Sequence, residues 1–478
     1  MTPPPPPADR TDIVDPSTRR RSSSAWLRRR VDLVVAAVAG LATVVVLAAN
    51  IGRSYDFDES FAVGSTISLG SARYALTNAA VFNNHPIFAA VQSEWWAAGA
   101  TTESTQRILP ILYGALAVAV LTAWIIRRWG VAPGLAAALV VAANPMFVSQ
   151  GRAVRGYSLA MLGVVVALIC LLEYIRLDEP RRPRGLALLA GHAAGIVIAM
   201  GTHGFAGVAL GPVGLAALVL LGRIDPRVVA SWVVAGVGVA LVYVWTIGDL
   251  LDTADDRGNR YFSFLGELTF EEILGRDPVT VSLLGGLVVV GALAMFVAPD
   301  EWRPRARTAS IIIVVLVVAQ FLVLWQVVQP RDLYPRFFLV VVPLAAIAVA
   351  LAVRHQAALL LVIVVAAGFA VDEVREVRDA ELPLRDAGAL VIAADELGLD
   401  TCAVGRATLF LYAGGVQIET VAIPDDPTTV DFGDCEVFIR ITSTGRAIEP
   451  MAEERFAHDF RLRGIRVFSQ VPPERLGR

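Results

Sequence analysis

The chain has 478 residues, of which 56% are hydrophobic and 18% charged, with a mean hydropathy of +0.61 and a formal charge of -3. That balance excludes a chain dissolved in water throughout, and no nucleic-acid partner is expected. The charges are bunched between apolar stretches of roughly 17 to 25 residues, long enough to cross a hydrocarbon core as helices, which makes membrane lipid the first partner. Every basic side chain outside the five histidines is Arg, with no Lys present.

Residues 1–30 join Pro3–Pro7 to Arg19–Arg21, Ser22–Ser24 and Arg28–Arg30, and read as a disordered basic tail on the cytoplasmic side. The apolar stretch that follows lacks a small-residue cleavage site, so Val31–Asn50 reads as a retained first helix. Residues 51–104 then form an outer loop, and a second helix returns to Arg127 and Arg128 inside. The next spans are Val131–Val148, Tyr157–Ile175, Leu186–Met200, Phe205–Leu221 and Val228–Ile247. Val279–Val297, Ile311–Val328, Phe337–Val353 and Leu359–Val371 complete the set. Every short inner loop carries Arg, so about eleven spans satisfy the positive-inside rule.

The expected fold class is an all-α polytopic membrane protein over residues 31–371, followed by a small extracytoplasmic α/β domain over 372–478. In that last part a helix is predicted at Leu384–Leu397 and strands at Cys402–Val404, Thr408–Tyr412, Val437–Ile441 and Ile465–Phe468. Cys402 and Cys435 either form a disulfide in an oxidising compartment or are two separate buried thiols, and Cys170 reads as packing. The expected location is the plasma membrane, with the N-terminus cytoplasmic.

The chemistry collects on the outer side. Asp56, Asp58 and Glu59 follow directly on the first span. One acid would suffice to cap the next helix. Three suit a general base, whose pKa like charges raise, or a divalent metal at Asp58, Glu59 and His85, although no ligand spacing requires one and no other cofactor is called for. Ile87–Ala98, with Trp95 and Trp96, reads as a helix along the membrane surface. Arg152, Arg155 and Arg336 lie outside, against the charge bias, and either hold an anionic ligand or pair with the loop acids.

Five blocks in order, Asp58–Glu59, His85–Pro86, Arg107–Pro110, Arg155–Leu159 and Pro335–Phe337, resemble the C-type-fold glycosyltransferases of the protein O-mannosyltransferase-like superfamily. His203 sits in a turn similar to one in those relatives, while Ile87 replaces a second proline and Gly151–Arg152 stand where many carry an acid. The resemblance implies inverting transfer of a sugar, mannose or similar, from a polyprenyl-phosphate donor to a glycan, lipid or protein hydroxyl at the outer face. It implies Asp58 as general base, Glu59 holding either Asp58 or the acceptor, and Asp56 in reserve. Arg155, Arg336 and Arg152 would meet the donor phosphate, and His85, Tyr157 and His203 the substrate. The competing readings are a lipid-linked-sugar flippase, which would need polar groups at span midpoints, and a non-catalytic envelope scaffold.

Overall fold

The computed structural model describes residues 16–49, 51–77, 85–177, 183–221, 224–247, 339, 342–353, parts of 359–371, 384–404, 412, 416, 418–421, 427–440, 448–462 and 465–476. The spans predicted at Val279–Val297 and Ile311–Val328, the Pro335–Phe337 block with Arg336, and Thr408–Leu411 lie outside these residues.

The helices run α1 Pro16–Leu47, α2 Phe57–Ser65, α3 Ala72–Thr77, α4 Pro86–Ala97, α5 Glu103–Trp129 and α6 Val131–Ala142. They continue as α7 Pro145–Gly151, α8 Tyr157–Ile175, α9 Pro183–Thr202, α10 Ala206–Leu221, α11 Pro226–Tyr243 and α12 Val342–Ala352. Helix α1 begins inside the segment expected to be a disordered tail, consistent with Arg being a good helix former. Among the described residues α5, α8, α9 and α11 are long and apolar enough to cross a membrane.

Local signals set the ends. Thr102 caps α5 by accepting the Thr105 N–H at 3.3 Å, and Gly130, at φ +101°, ends it after Arg127 and Arg128. The single span predicted over Val131–Val148 is instead two helices bent by 65°. Asn144 caps α7 through the Phe147 N–H at 3.0 Å, and Pro145, which has no N–H to give, cannot extend α6.

Two apolar clusters hold the bundle. Leu47, Ile111, Leu121, Phe147, Tyr157 and Met161 bind α1, α5, α7 and α8, while Ala160, Leu168, Ala193, Ile196, Val213 and Ala235 bind α8 to α9, α10 and α11. Helix association in lipid relies on close packing rather than on expelling water. Accordingly α8 and α9 touch through glycine: a Cβ on Gly195 would lie 2.6 Å from the Ala167 nitrogen and 2.8 Å from the Gly163 carbonyl oxygen. The bundle has two chemically distinct ends. At one, Trp124 and Arg128 of α5 bond Glu173 of α8, and Tyr174 bonds Asp225 at 3.0 Å. At the other lie the end of α1, the α2 turn, the first turns of α4, α5 and α8, and the end of α9.

The C-terminal part forms helix α13 Leu384–Glu396, strands β1 Thr401–Val404, β2 Glu419–Thr420 and β3 Val437–Arg440, helix α14 Glu449–Arg455, and strands β4 His458–Leu462 and β5 Ile465–Ser469. The sheet order is β2-β1-β3-β5-β4, with β1 parallel to β2 and β3, and β5 antiparallel to β3 and β4. Alternation gives the sheet two apolar faces. Ala403, Val437, Ile439 and Val467 meet Leu390 and Val391 of α13, while Phe438 and Phe468 meet Phe432 and Phe456. Cys402 and Cys435 form a disulfide.

Candidate active site

Asp56 is the N-cap of α2. Its Oδ1 accepts the Glu59 N–H at 2.7 Å, and Glu59 Oε2 accepts the Asp56 N–H at 3.0 Å, a reciprocal capping box. Both Asp58 and Glu59 therefore fall in the first helical turn, where the helix dipole favours negative charge. The cap accounts for Asp56 and part of Glu59, but not for Asp58.

Glu59 is fully buried against Arg107, which is also fully buried. Arg107 Nη2 stands 2.7 Å from Glu59 Oε2 and Nε 3.2 Å from Oε1, a two-pronged ion pair. The remaining N–H groups of this guanidinium reach the carbonyls of Ile51 at 2.9 Å, Arg53 at 2.5 Å and Ser54 at 3.2 Å. Its donor set is thus spent on one turn of chain. Glu59 Oε1 also accepts the Val154 N–H at 2.7 Å, joining the α2 turn to the segment before α8. Burial alone would raise the Glu59 pKa, but the Arg107 and Arg53 charges and the Arg107 hydrogen bonds hold it down at about 2. Burial, followed by the Glu59 and Asp58 charges, pushes Asp56 up to about 6.

Arg155 sits just before α8 and is buried. Its Nε donates to His85 Nε2 at 3.1 Å, and its Nη1 donates to the Asp58 carbonyl at 3.2 Å and stands 3.7 Å from Asp58 Oδ2. His85 Nδ1 lies 3.0 Å from the Thr202 carbonyl, which can only accept, so Nδ1 carries the hydrogen and Nε2 receives Arg155. The imidazole is thereby neutral and its tautomer fixed. Around it lie the Tyr157 and His203 rings, at centroid distances of 5.1 Å and 5.2 Å, with Phe205 a further 5.7 Å from His203. Arg152 gives its Nη1 to the Ala49 carbonyl at 3.2 Å.

Residues predicted from far-separated blocks, Asp56, Asp58, Glu59, His85, Arg155, Tyr157 and His203, thus meet at one end of the bundle. Within the group, Asp58 keeps 22% of its side chain exposed and Glu59 none. The donor set considered for a divalent ion is not assembled. Both Glu59 oxygens accept from Arg107 and backbone, both His85 nitrogens are engaged, and among the described residues no group of three or more His, Cys, Asp or Glu side chains gathers as a metal site. Two residues at this end were missed as site members. Arg107 carried a signal, a basic residue in the opening part of a helix against the dipole, which demands a local acid. Tyr412, whose hydroxyl accepts the Tyr55 N–H at 2.8 Å, carried none.

No family model matches the sequence, and no curated protein matches it. Among solved structures, ArnT from Cupriavidus metallidurans in the apo state matches with a TM-score of 0.56 and 14% identity, over 94% of this chain and 98% of that one. ArnT bound to undecaprenyl phosphate matches with a TM-score of 0.51, 16% identity and the same coverage. The archaeal oligosaccharyltransferase AglB from Archaeoglobus fulgidus, in complex with an inhibitory peptide and a dolichol-phosphate, matches with a TM-score of 0.55 and 13% identity over 90% of this chain and 72% of that one. The chain therefore has the C-type glycosyltransferase fold, an apolar helical bundle carrying a small C-terminal sheet.

Proposed function

We propose that this chain is a membrane glycosyltransferase that moves a sugar from a polyprenyl-phosphate donor to an acceptor hydroxyl at the outer membrane face. The observation that carries the reading is the setting of Asp58. This carboxylate keeps water access beside the buried Arg155, 3.7 Å away, at the end of an apolar bundle. A lipid-linked donor suits that position, since its prenyl chain can stay in hydrocarbon while its phosphate reaches the guanidinium.

In this reading Asp58 takes the proton from the acceptor hydroxyl as its oxygen attacks the anomeric carbon with inversion. The bond to phosphate oxygen breaks, and polyprenyl phosphate leaves as a stable anion that needs no general acid. Arg155 stabilises the charge growing on the phosphate, together with Arg336. The pairing of Arg155 with neutral His85 supports this, because it fixes the guanidinium plane without neutralising its charge. Glu59 is the anchor of the turn rather than a proton carrier, since its oxygens are occupied. About eleven spans with a cytoplasmic N-terminus, and residues 372–478 as an outer domain, complete the proposed arrangement.

The test is an assay of membranes with labelled polyprenyl-phosphate hexoses and pentoses, wild type against Asp58→Asn. Transfer from at least one donor that the variant abolishes supports the reading. No transfer from any donor by wild type would turn the assignment towards a flippase.

A further inference from the structure

Between the Asp56–Glu59 turn and the C-terminal sheet lies a contact that the proposed chemistry does not use. The turn is held by Arg107, which takes the carbonyls of Ile51, Arg53 and Ser54 as well as Glu59. It is also held by Tyr412, 357 residues later in the chain, whose hydroxyl accepts the Tyr55 N–H at 2.8 Å. Tyr55 is the residue directly before the α2 cap and is 4% exposed, and its ring lies near both supports. The Arg107 guanidinium carbon is 5.3 Å from its centroid and the Tyr412 ring 6.3 Å. The Glu103 carboxylate in the first turn of α5 lies near enough to the Tyr412 hydroxyl that each acts on the other's electrostatics. Arg385 in the first turn of α13 adds a second link, at 2.7 Å to Glu103 and 3.3 Å to the Gly52 carbonyl. With its side chain 60% exposed, that link is the weaker one.

The C-terminal part is shaped to deliver Tyr412. A Cβ on Gly388 of α13 would lie 2.6 Å from the Tyr412 carbonyl oxygen, so only glycine lets the Tyr412 backbone come this close to the helix. A purely cohesive contact between helices and sheet would not need a hydroxyl placed on the one backbone N–H that precedes the cap.

We infer that Tyr412 is a positioning residue: through the Tyr55 N–H, the C-terminal part of the chain fixes the turn that presents Asp58 to the acceptor. The inference rests on the proposed glycosyl transfer for its functional consequence and on the geometry alone for the coupling. Placement of the base at the reacting centre is sensitive to displacement of about 1 Å, so loss of one tether should lower turnover without weakening donor binding at Arg155.

The experiment uses the full chain in detergent or nanodiscs, comparing wild type, Tyr412→Phe, Gly388→Ala and Asp58→Asn by amide hydrogen exchange and by transfer kinetics. Tyr412→Phe keeps the ring and removes only the hydroxyl. The expected result is at least severalfold faster exchange of the amides of residues 51–60, with the β1, β3 and β5 amides unchanged. Turnover should fall roughly ten- to hundredfold with donor KM within about twofold. Gly388→Ala, which displaces the Tyr412 backbone while keeping its hydroxyl, should show the same pattern. Unchanged exchange at residues 51–60 in Tyr412→Phe overturns the coupling, and faster exchange with unaltered kcat overturns the positioning role. Should wild type transfer from no donor, the glycosyl-transfer reading falls alone, and the exchange measurement still decides whether Tyr412 controls the turn.

Discussion

Removing Arg107 should damage this protein more than removing Glu59, and the difference should depend on pH. In the wild type the two side chains form a fully buried ion pair, with Arg107 also holding three backbone carbonyls. The depression of the Glu59 pKa from 4.5 to about 2 corresponds to about 3 kcal/mol of stabilisation of its charged form. Breaking one side of a buried pair typically costs ~3–5 kcal/mol, because the surviving charge has no water to return to. Arg107→Ala leaves the Glu59 carboxylate with two backbone N–H groups and the Arg53 guanidinium at 3.8 Å. Glu59→Gln instead keeps an acceptor for Arg107 and retires the negative charge. The double variant should therefore be more stable than Arg107→Ala alone, with a coupling of ~2 kcal/mol.

The pH sign follows from the same pair. A carboxylate whose folded pKa is depressed contributes stability above its unfolded pKa, and that contribution is lost as pH falls from about 4.5 towards about 2. In Arg107→Ala the largest influence left is burial, opposed by the Arg53 charge and the backbone N–H groups, so the Glu59 pKa rises from its depressed value and the stabilisation of its charge shrinks. The gap between wild type and Arg107→Ala should be widest at neutral pH and shrink below pH 4.5. Thermal melting of detergent-purified protein, followed by loss of the monodisperse peak on size exclusion, measures both variants and the double across that range. A gap that is independent of pH, or a double variant no better than Arg107→Ala, would refute the buried-charge reasoning.

Asp56→Asn should raise the melting temperature above pH 6, since Asn caps equally well and removes a charge that burial and two neighbouring acids oppose, and should change little below pH 4, where Asp56 is already protonated; the same melting series checks it. Arg155→Lys should cut turnover by roughly tenfold or more in the labelled-donor assay, because an ammonium can supply the charge but not the fixed fork shared by His85 and Asp58; activity equal to wild type would remove the fork as a requirement. Tyr412→Phe, through the Tyr55 N–H, should affect turnover and loop exchange together as set out above.

Long apolar runs closed by Arg were legible because their signal is local. Helices α5 and α8 end within a few residues of the predicted bounds, and Leu384–Leu397 became α13. The α6–α7 break was present as Asn144–Pro145, but hydropathy summed over the segment hid it, since both halves are apolar. Strand β4, with His458, Asp459 and Arg461, lies at the sheet edge, half-solvated, and offered no apolar run to find. At the site, the acids and arginines were visible as charges placed where charge is expensive. Their pairing was not. Glu59 reaches Arg107 across 48 residues and Arg155 reaches His85 across 70, and no periodicity encodes such separations. The sequence therefore grouped Asp56, Asp58 and Glu59 as one cluster, whereas the fold divides them into a cap, a partly exposed carboxylate and a buried anchor.

That division is tested most directly by a single-turnover measurement on purified wild type and Asp58→Asn, each saturated with a labelled polyprenyl-phosphate sugar and mixed with acceptor. The account predicts that Asp58→Asn binds donor with unchanged affinity and transfers it ~10²–10⁴-fold more slowly, the loss expected when a general base is removed. Transfer by Asp58→Asn at the wild-type rate would contradict it.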